Sequence, residues 1–448
     1  MNQRARKYLA EPGLGPLLIK AVIGSVGLRI AGMFFGFLVG VQLARGLGVE
    51  GYGIYGLAMS IIALLTVPTE FGLPQLLTRE VAAAHVDKDW GRLRGILKWS
   101  SKTVLLTSVA ITIAVMLWLV TTKRDLNTPL AMTLFAGLLM VPLVAIGNLR
   151  AATLRGFQHI VKGQLPDTLI RPASFSLLLF IVPLLSVPLN PALAMGLGAV
   201  SAAFAFGAAV AMLRKNLPPE IHDAIPQIQS RAWWSSALPM ALTEGMRVLQ
   251  GHLVILLLGI MATVSMVGIF RVASSVALLV AVPETLLNVV GAPIIARLHA
   301  QGDRARLQRL LSWIALGMVG STLVLTLPFI VAGVPLLSIV FGEEFGDANA
   351  LLLVLCGSAV INGFFGANAT LLNMTGYQTR VTWASSISLA LLAIVSPPLI
   401  TSVGVIGAAI ATALAMLTWN ILMWRDARRL LAMDTSFLHF FKSSASHA

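Results

Sequence analysis

Read from its amino terminus, the chain alternates long apolar runs with short polar stretches. Twelve runs stand out: residues 17–44, 52–78, 97–121, 129–152, 168–188, 191–213, 234–260, 265–295, 308–333, 348–373, 381–402 and 404–424. About 20 consecutive apolar residues suffice to cross a bilayer as a helix. A transmembrane barrel would instead show strands of about ten residues with alternating polarity, and the runs are continuous. Backbone polar groups in hydrocarbon need partners within their own segment, so the pattern predicts an all-α integral membrane protein of twelve transmembrane helices. Arg4, Arg6 and Lys7 precede the first run as in a secretory leader. That run is far longer than the 7–15 or so residues of a leader's apolar region, which predicts a retained helix.

The polar stretches carry a direction. Of the 32 lysines and arginines, 25 fall at the ends of the runs on one side, and only Arg45, Lys123 and Arg124 fall on the other. Basic residues concentrate in short cytoplasmic segments, so both termini are expected in the cytoplasm and the number of spans is expected to be even. Lys88–Lys102 and Arg304–Trp313 are basic and amphipathic with tryptophan at the edge, and predict interfacial segments lying on anionic lipid.

The pattern also repeats. A shift of 214 places His85, Arg92, Leu93, Leu97 and Trp99 on His299, Arg306, Leu307, Leu311 and Trp313, and a shift of 215 places Gly53, Ser60 and Pro68 on Gly268, Ser275 and Pro283. A third patch, at 220, pairs Asn148, Gly156, Gln158 and Val161 with Asn368, Gly376, Gln378 and Val381. The predicted organisation is a six-helix lobe over 1–213, a cytoplasmic linker over 214–233 containing Pro218, Pro219 and Pro226, a second six-helix lobe over 234–424, and a cytoplasmic tail over 425–448. Six spans per half make this a parallel repeat, an arrangement in which transporters work by rocking one half against the other.

Composition narrows the function classes. Only 11% of residues are charged and 57% are hydrophobic, against about 25% charged in soluble domains. The net charge of +14 is spread in clusters between apolar runs, which reads as topology and gives no nucleic-acid partner. Cys356 is the sole cysteine, so neither a disulfide framework nor a cysteine-based metal site is available. No GxxxxGK[ST] loop is present, so the chain is not its own ATPase. A glycosyltransferase or polymerase would need catalytic residues in sizeable outer loops. Here those loops are short, with Glu50, Asp125, Glu343, Glu344 and Asp347 as their acids, and no enzyme is expected. FGEEFGD at 341–347 lacks the ligand spacing of a calcium loop and reads as an exposed turn.

Residues 41–82 hold an apolar helix ending in Leu43–Gly48, a helix start at Gly53–Tyr55, and Gly72–Pro74 followed by Arg79, Val81 and Ala82. These segments resemble the first two helices of the polysaccharide-export flippases in the multidrug/oligosaccharidyl-lipid/polysaccharide exporter (MOP) superfamily. The stretches 282–303 and 341–349 are similar to later segments of the same family. The resemblance implies a MATE-like fold of two pseudo-symmetric lobes whose cavity is lined by helices 1, 2, 7 and 8. It further implies a flippase that turns an undecaprenyl-pyrophosphate-linked repeat unit from the cytoplasmic to the periplasmic leaflet of a bacterial inner membrane. Alongside it would work a polysaccharide polymerase and glycosyltransferases. The nearest alternatives are a cation-coupled multidrug exporter and a lipid II flippase of the same superfamily, the latter usually with fourteen helices.

Charge near the bilayer centre costs about 2.5–3.5 kcal/mol on insertion scales, so such residues face a cavity or a partner. Six qualify, all on helices 1, 2, 7 and 8: Arg29, Glu70, Glu244, Arg247, Arg271 and Glu284. Guanidinium groups bind phosphate oxygens bidentately, which makes Arg29, Arg247 and Arg271 the substrate-binding candidates for a pyrophosphate cargo. Arg271, near the outer end of its helix, has snorkelling to the surface as its alternative. Glu70, Glu244 and Glu284 are candidates for counter-charge or for coupling to H+ or Na+, with no cofactor and no metal otherwise expected. The repeat sets Arg29 opposite Glu244, and a plain structural ion pair is the competing reading for both. Gln42, Gln250, His252 and Asn288 are polar candidates for sugar hydroxyls, with interhelical hydrogen bonding as their simpler role. Pro68 and Pro283, on the second helix of each half, are hinge candidates.

Overall fold

In a computed structural model, residues 14–121, 128–221 and 223–439 are described, the side chains of 14–23 excepted. Arg4, Arg6, Lys7, Lys123, Arg124, Asp125 and the end of the predicted tail lie outside them.

The described chain is helical nearly throughout: α1 (Leu14–Glu70), α2 (Leu73–Val86), α3 (Trp90–Thr121), α4 (Pro129–Gly137), α5 (Met140–Gly156), α6 (Ile160–Leu165), a π-helical turn (Pro166–Ile170), α7 (Arg171–Leu184), α8 (Pro191–Asn216), α9 (Ser230–Met261), α10 (Val264–Val280), α11 (Val282–Gln301), α12 (Arg304–Phe341), α13 (Ala348–Phe365), α14 (Asn368–Met374), α15 (Gln378–Val403) and α16 (Val405–Leu431). Ten of the described helices are long and apolar enough to cross a membrane, and an eleventh span forms if α10 and α11, bent by 42°, count as one. The twelfth is inside α1. Gly48, with φ of 66° and ψ of −178°, is not helical, and it divides this range into two helices that meet at a kink. The two spans predicted at 17–44 and 52–78 therefore correspond to the helices on either side of Gly48, and the second ends earlier than predicted, at Phe71 and Gly72, both with positive φ.

Two compact units divide the chain. The first holds the described residues up to Val39 together with Ile61–Gly245; the second holds Gly40–Ser60 and the chain from Met246 on. Each takes in a piece of helix that the sequence join at 214–233 assigns to the other half. Within the second unit the reason is close packing: a Cβ at Gly53 would overlap the Val264 carbonyl oxygen, and one at Gly268 would overlap that of Val49. Small residues at a helix crossing let backbones approach in this way. Within the first unit, Gly72 leaves no room for a Cβ beside the backbone of Ala237, Met240 and Ala241. There Phe71 packs edge-on against Trp234, with ring centroids 5.3 Å apart.

The cores repeat as the sequence predicts. In the first unit Leu73, Leu76, Leu77, Val81, Leu93 and Ile96 pack with Ala145, Leu149 and Ala152; in the second Ile295, Leu307, Leu311 and Ile314 pack with Leu371, Leu372 and Met423. Exposed Leu106, Ile113 and Leu117 on α3, and Val324, Ile330 and Val331 on α12, present the apolar surface that a bilayer covers. The turn before α3 and the turn before α12 also match bond for bond. Asp89 accepts from the Arg92 N–H at 2.9 Å and Asp303 from the Arg306 N–H at 3.0 Å, while Lys88 and Gly302 hold the same positive-φ position.

Three short segments do more than the sequence suggested. FGEEFGD is a capping loop: Glu344 accepts a hydrogen bond from the Val49 N–H at 3.1 Å, where the helix restarts after Gly48, and Phe345 is buried beside Tyr52. Arg45, an exception to the charge bias, donates to the Val340 carbonyl at 2.8 Å and to that of Ile339, neutralising the negative end of α12. The mid-chain linker lies along α3, with the Gln227 N–H on the Gly91 carbonyl at 3.0 Å and Arg94 on the Ala224 carbonyl at 2.6 Å. Trp99, in one of the predicted interfacial segments, packs against Trp233 with ring centroids 5.1 Å apart and planes inclined at 45°.

Candidate functional site

The break after Glu70 has a traceable cause. Pro68 cannot donate to the helical ladder, and threonine hydroxyls supply local bonds: Thr66 to the Ala63 carbonyl and Thr69 to the Thr66 carbonyl, both at 2.6 Å, and Thr107 of α3 to the Thr69 carbonyl at 3.0 Å. At the end of this loosened turn, Glu70 turns its carboxylate towards α5 and accepts a hydrogen bond from Asn148 Nδ2 at 2.6 Å.

The second unit builds the same pair. Here the bend comes at Ala281, and Pro283 stands in the first turn of α11, where its missing N–H costs nothing. One residue on, the buried Glu284 accepts from Asn362 Nδ2 at 2.6 Å. Both pairs are separated by 78 residues and are related by the 214-residue shift. The sequence repeat at 220 instead pairs Asn148 with Asn368. Bonding in the following turns shows what intervenes: the N–H of His159 binds the Leu154 carbonyl as that of Tyr377 binds the Leu372 carbonyl, a shift of 218, so four residues have been added around Gly366.

Unequal surroundings distinguish the twin pairs. Glu284 also accepts from Thr322 at 3.1 Å, while Asn362 accepts from Asn420 Nδ2 at 3.1 Å and Asn420 in turn from Asn368 Nδ2 at 3.0 Å. On the other side Asn288 donates to the Glu284 carbonyl at 3.0 Å and accepts from Thr370 at 2.5 Å. Ser108, at the position of Thr322, bonds the Leu105 carbonyl of its own helix at 3.0 Å. One carboxylate is thus set in a network of amides and hydroxyls drawn from α11 to α16, and the other rests chiefly on a single asparagine.

The remaining predicted residues lie near one another within each unit: Glu244 is close enough to Glu70 to act on its charge, and Arg247 and Arg271 are close enough to act on His252. Glu244, on α9, accepts from Gln75 Nε2 at 3.1 Å and belongs to the first unit along with Arg29. Arg29 on α1 and Arg247 on α9 are solvent-exposed within segments long and apolar enough to span the membrane. Arg271 on α10 is held in a slot made by α1: its guanidinium lies 5.1 Å from the Tyr52 ring centroid and 5.2 Å from that of Tyr55, and its stem lies over Gly56. Aromatic faces attract a guanidinium by about 0.5–2 kcal/mol, which here fixes the cation in place. His252 meets Ser60 at 3.0 Å. Among the described residues no cluster of three or more His, Cys, Asp or Glu is arranged to hold a metal ion. The sequence does not single out Asn148, Asn362 or the amide network as site residues, although the 214 shift carries Asn148 onto Asn362.

Comparison with known proteins bears on this architecture. A family profile described as "Polysaccharide biosynthesis protein" matches residues 18–299. Stage V sporulation protein B of Bacillus subtilis is 31% identical over 147 residues, 31% of this chain and 27% of that protein. A probable low-salt glycan biosynthesis flippase, Agl15, of Haloferax volcanii is 29% identical over 172 residues, 37% of this chain and 35% of that protein. The matched segments therefore span only about a quarter to a third of these relatives. Among solved structures, an inward-facing multidrug resistance MATE family transporter of the MOP superfamily superposes with a TM-score of 0.72 at 13% identity, covering 92% of this chain and 98% of the other. The lipid II flippase MurJ, in an inward closed conformation, superposes with a TM-score of 0.68 at 13% identity, covering 92% and 87%. The fold is that of the MOP superfamily.

Proposed function

Because this chain belongs to the polysaccharide biosynthesis protein family, we propose that it turns an undecaprenyl-pyrophosphate-linked oligosaccharide repeat unit from the cytoplasmic to the periplasmic leaflet of a bacterial inner membrane, with both its termini in the cytoplasm. The observation that carries the anionic cargo is the exposure of Arg29 and Arg247 within membrane-spanning helices. A guanidinium within a span faces a wet path or a counter-charge, and a pyrophosphate crossing the bilayer needs cations to neutralise it. Arg271, enclosed by Tyr52 and Tyr55, serves to brace the helix start after Gly48 and stands second to these two as a ligand.

The cycle is alternating access, coupled to H+ or Na+ through the twin carboxylates Glu70 and Glu284, each seated at the bend of its helix. Pro68 in the last turn of α1 and Pro283 in the first turn of α11 stand next to those bends as the hinge residues of this cycle. Glycosyltransferases supply the cargo on the inner side and a polymerase consumes it on the outer side; catalysis is theirs.

The test uses the full chain in proteoliposomes with a fluorescently tagged, pyrophosphate-linked polyprenyl oligosaccharide. Arg29→Ala and Arg247→Ala are expected to abolish flipping while insertion and helical content stay intact. Normal flipping by both, or transport of a cationic dye in place of the lipid, refutes the reading.

A further inference from the structure

On the flank of the second unit, α15 and α16 leave a cleft of about 280 Å³ near the start of α15 and the end of α16. Arg380, in the first turn of α15, and Arg425, in the penultimate turn of α16, both line it. Neither guanidinium is ion-paired, and neither donates a side-chain hydrogen bond to the protein among the described residues. Beneath them the walls are apolar: Trp383, Ile387 and Leu422. Trp383 is 65% exposed, and beyond the cleft Ile394, on the same face of α15, is 71% exposed. Ile387 and Ile394 stand seven and fourteen residues past Arg380, so at 1.5 Å per residue the apolar track runs about 20 Å from the arginine rim into the span.

We propose that this cleft holds one anionic glycerophospholipid, its phosphate on Arg380 and Arg425 and an acyl chain along Trp383, Ile387 and Ile394. The layout follows the lipid's own: charge at the interface, an amphipathic indole at headgroup depth, then hydrocarbon. Asp426, in the same cleft, refines the headgroup. Its carboxylate repels a second negative charge and accepts a hydrogen bond from a hydroxyl. The site thus suits a monoanionic phosphodiester bearing hydroxyls, as in phosphatidylglycerol, better than phosphatidic acid. This inference depends on α15 and α16 spanning the membrane and is independent of the proposed flipping activity.

Native mass spectrometry of the detergent-solubilised full chain, titrated with phosphatidylglycerol, phosphatidic acid or phosphatidylcholine, tests it. Phosphatidylglycerol is expected to be retained preferentially, and Arg380→Gln and Arg425→Gln each to lower its retention about fivefold, the effect of one basic residue on an anionic lipid. Arg428→Gln, altering an arginine stacked on Trp424 outside the cleft, is expected to leave retention unchanged. Asp426→Asn is expected to raise phosphatidic acid relative to phosphatidylglycerol. Monodispersity and helical content confirm that each variant is folded. Undiminished retention by a folded Arg380→Gln/Arg425→Gln double variant overturns the proposal, as does displacement of the lipid by an equal concentration of soluble glycerol phosphate, which would mark a site for free anions.

Discussion

The twin carboxylate pairs make a quantitative prediction, because the protein contains the same interaction twice in different company. Replacing Asn148 by Ala removes the hydrogen bond it donates to Glu70. A hydrogen bond is worth about 0.5–1.5 kcal/mol net to a neutral group and about 1.5–3 kcal/mol to a charged one, and this range sets the expected cost. Asn362→Ala removes the equivalent bond to Glu284 and also the acceptor used by the fully buried Asn420. A neutral bond adds about 0.5–1.5 kcal/mol, so Asn362→Ala is expected to be the more destabilising by about 1 kcal/mol. Asn420 keeps its second acceptor, the Met416 carbonyl at 3.0 Å, which holds the difference near that figure. Unfolding midpoints of the full chain in one detergent, read by circular dichroism, supply the comparison. A double-mutant cycle of Asn362→Ala with Asn420→Ala isolates the extra bond, with an expected coupling of about 0.5–1.5 kcal/mol. If Asn148→Ala costs as much as Asn362→Ala, or the cycle shows no coupling, the account of unequal surroundings is wrong.

Other expectations follow from particular contacts. Gly53→Ala and Gly268→Ala each force a methyl group against a carbonyl of the crossing helix, and each is expected to cost about 1–3 kcal/mol in the same unfolding assay. Lys88 occupies with φ of 55° the position that glycine fills in the second repeat; Lys88→Gly is expected to raise stability by about 0.5–1 kcal/mol, and Gly302→Lys to lower it. At the end of α16, burial alone would raise the pKa of Asp434, but hydrogen bonds from Ser436 and Trp424 and the nearby Arg428 hold it below the usual carboxylate range. A depressed folded pKa stabilises docking of the tail above the unfolded value near 4 and withdraws that support as pH falls through the folded one. Hydrogen exchange at the Phe437 N–H, bonded to the Phe364 carbonyl at 2.8 Å, is expected to lose protection in strong acid, and Asp434→Asn to remove this pH dependence.

Most of the architecture was legible because hydrocarbon imposes strict rules. Apolar length gave the spans, and the repeat gave the matching cores, such as Leu93 and Leu97 with Leu307 and Leu311. The division at Gly48, where a non-helical residue separates two helices, falls between the predicted runs, whereas the end at Phe71 and Gly72 does not, because their positive φ acts on conformation alone inside an apolar run. Buried carboxylates announced themselves by their cost, whereas their asparagine partners did not, since amides are ordinary in spans. The added residues around Gly366 then misaligned Asn148. Glu344 and Arg45 looked like loop charges because the groups they bind, an amide at Val49 and carbonyls at Ile339 and Val340, are backbone and leave no trace in a sequence.

The borrowed helix segments bear on how this molecule can be taken apart. A cut in the linker, anywhere in 223–229, severs one peptide bond and falls outside every helix. The amino-terminal fragment would nonetheless lack 230–245, including Trp233 at the base of its own core, and the carboxy-terminal fragment would lack 40–60, with Tyr52, Gly53 and the amide that Glu344 caps. Neither half is a self-sufficient module, so separately expressed halves are expected to be recovered only when made together, as complementing fragments. The linker between the two sequence repeats is thus a place to nick the chain and a poor place to divide it.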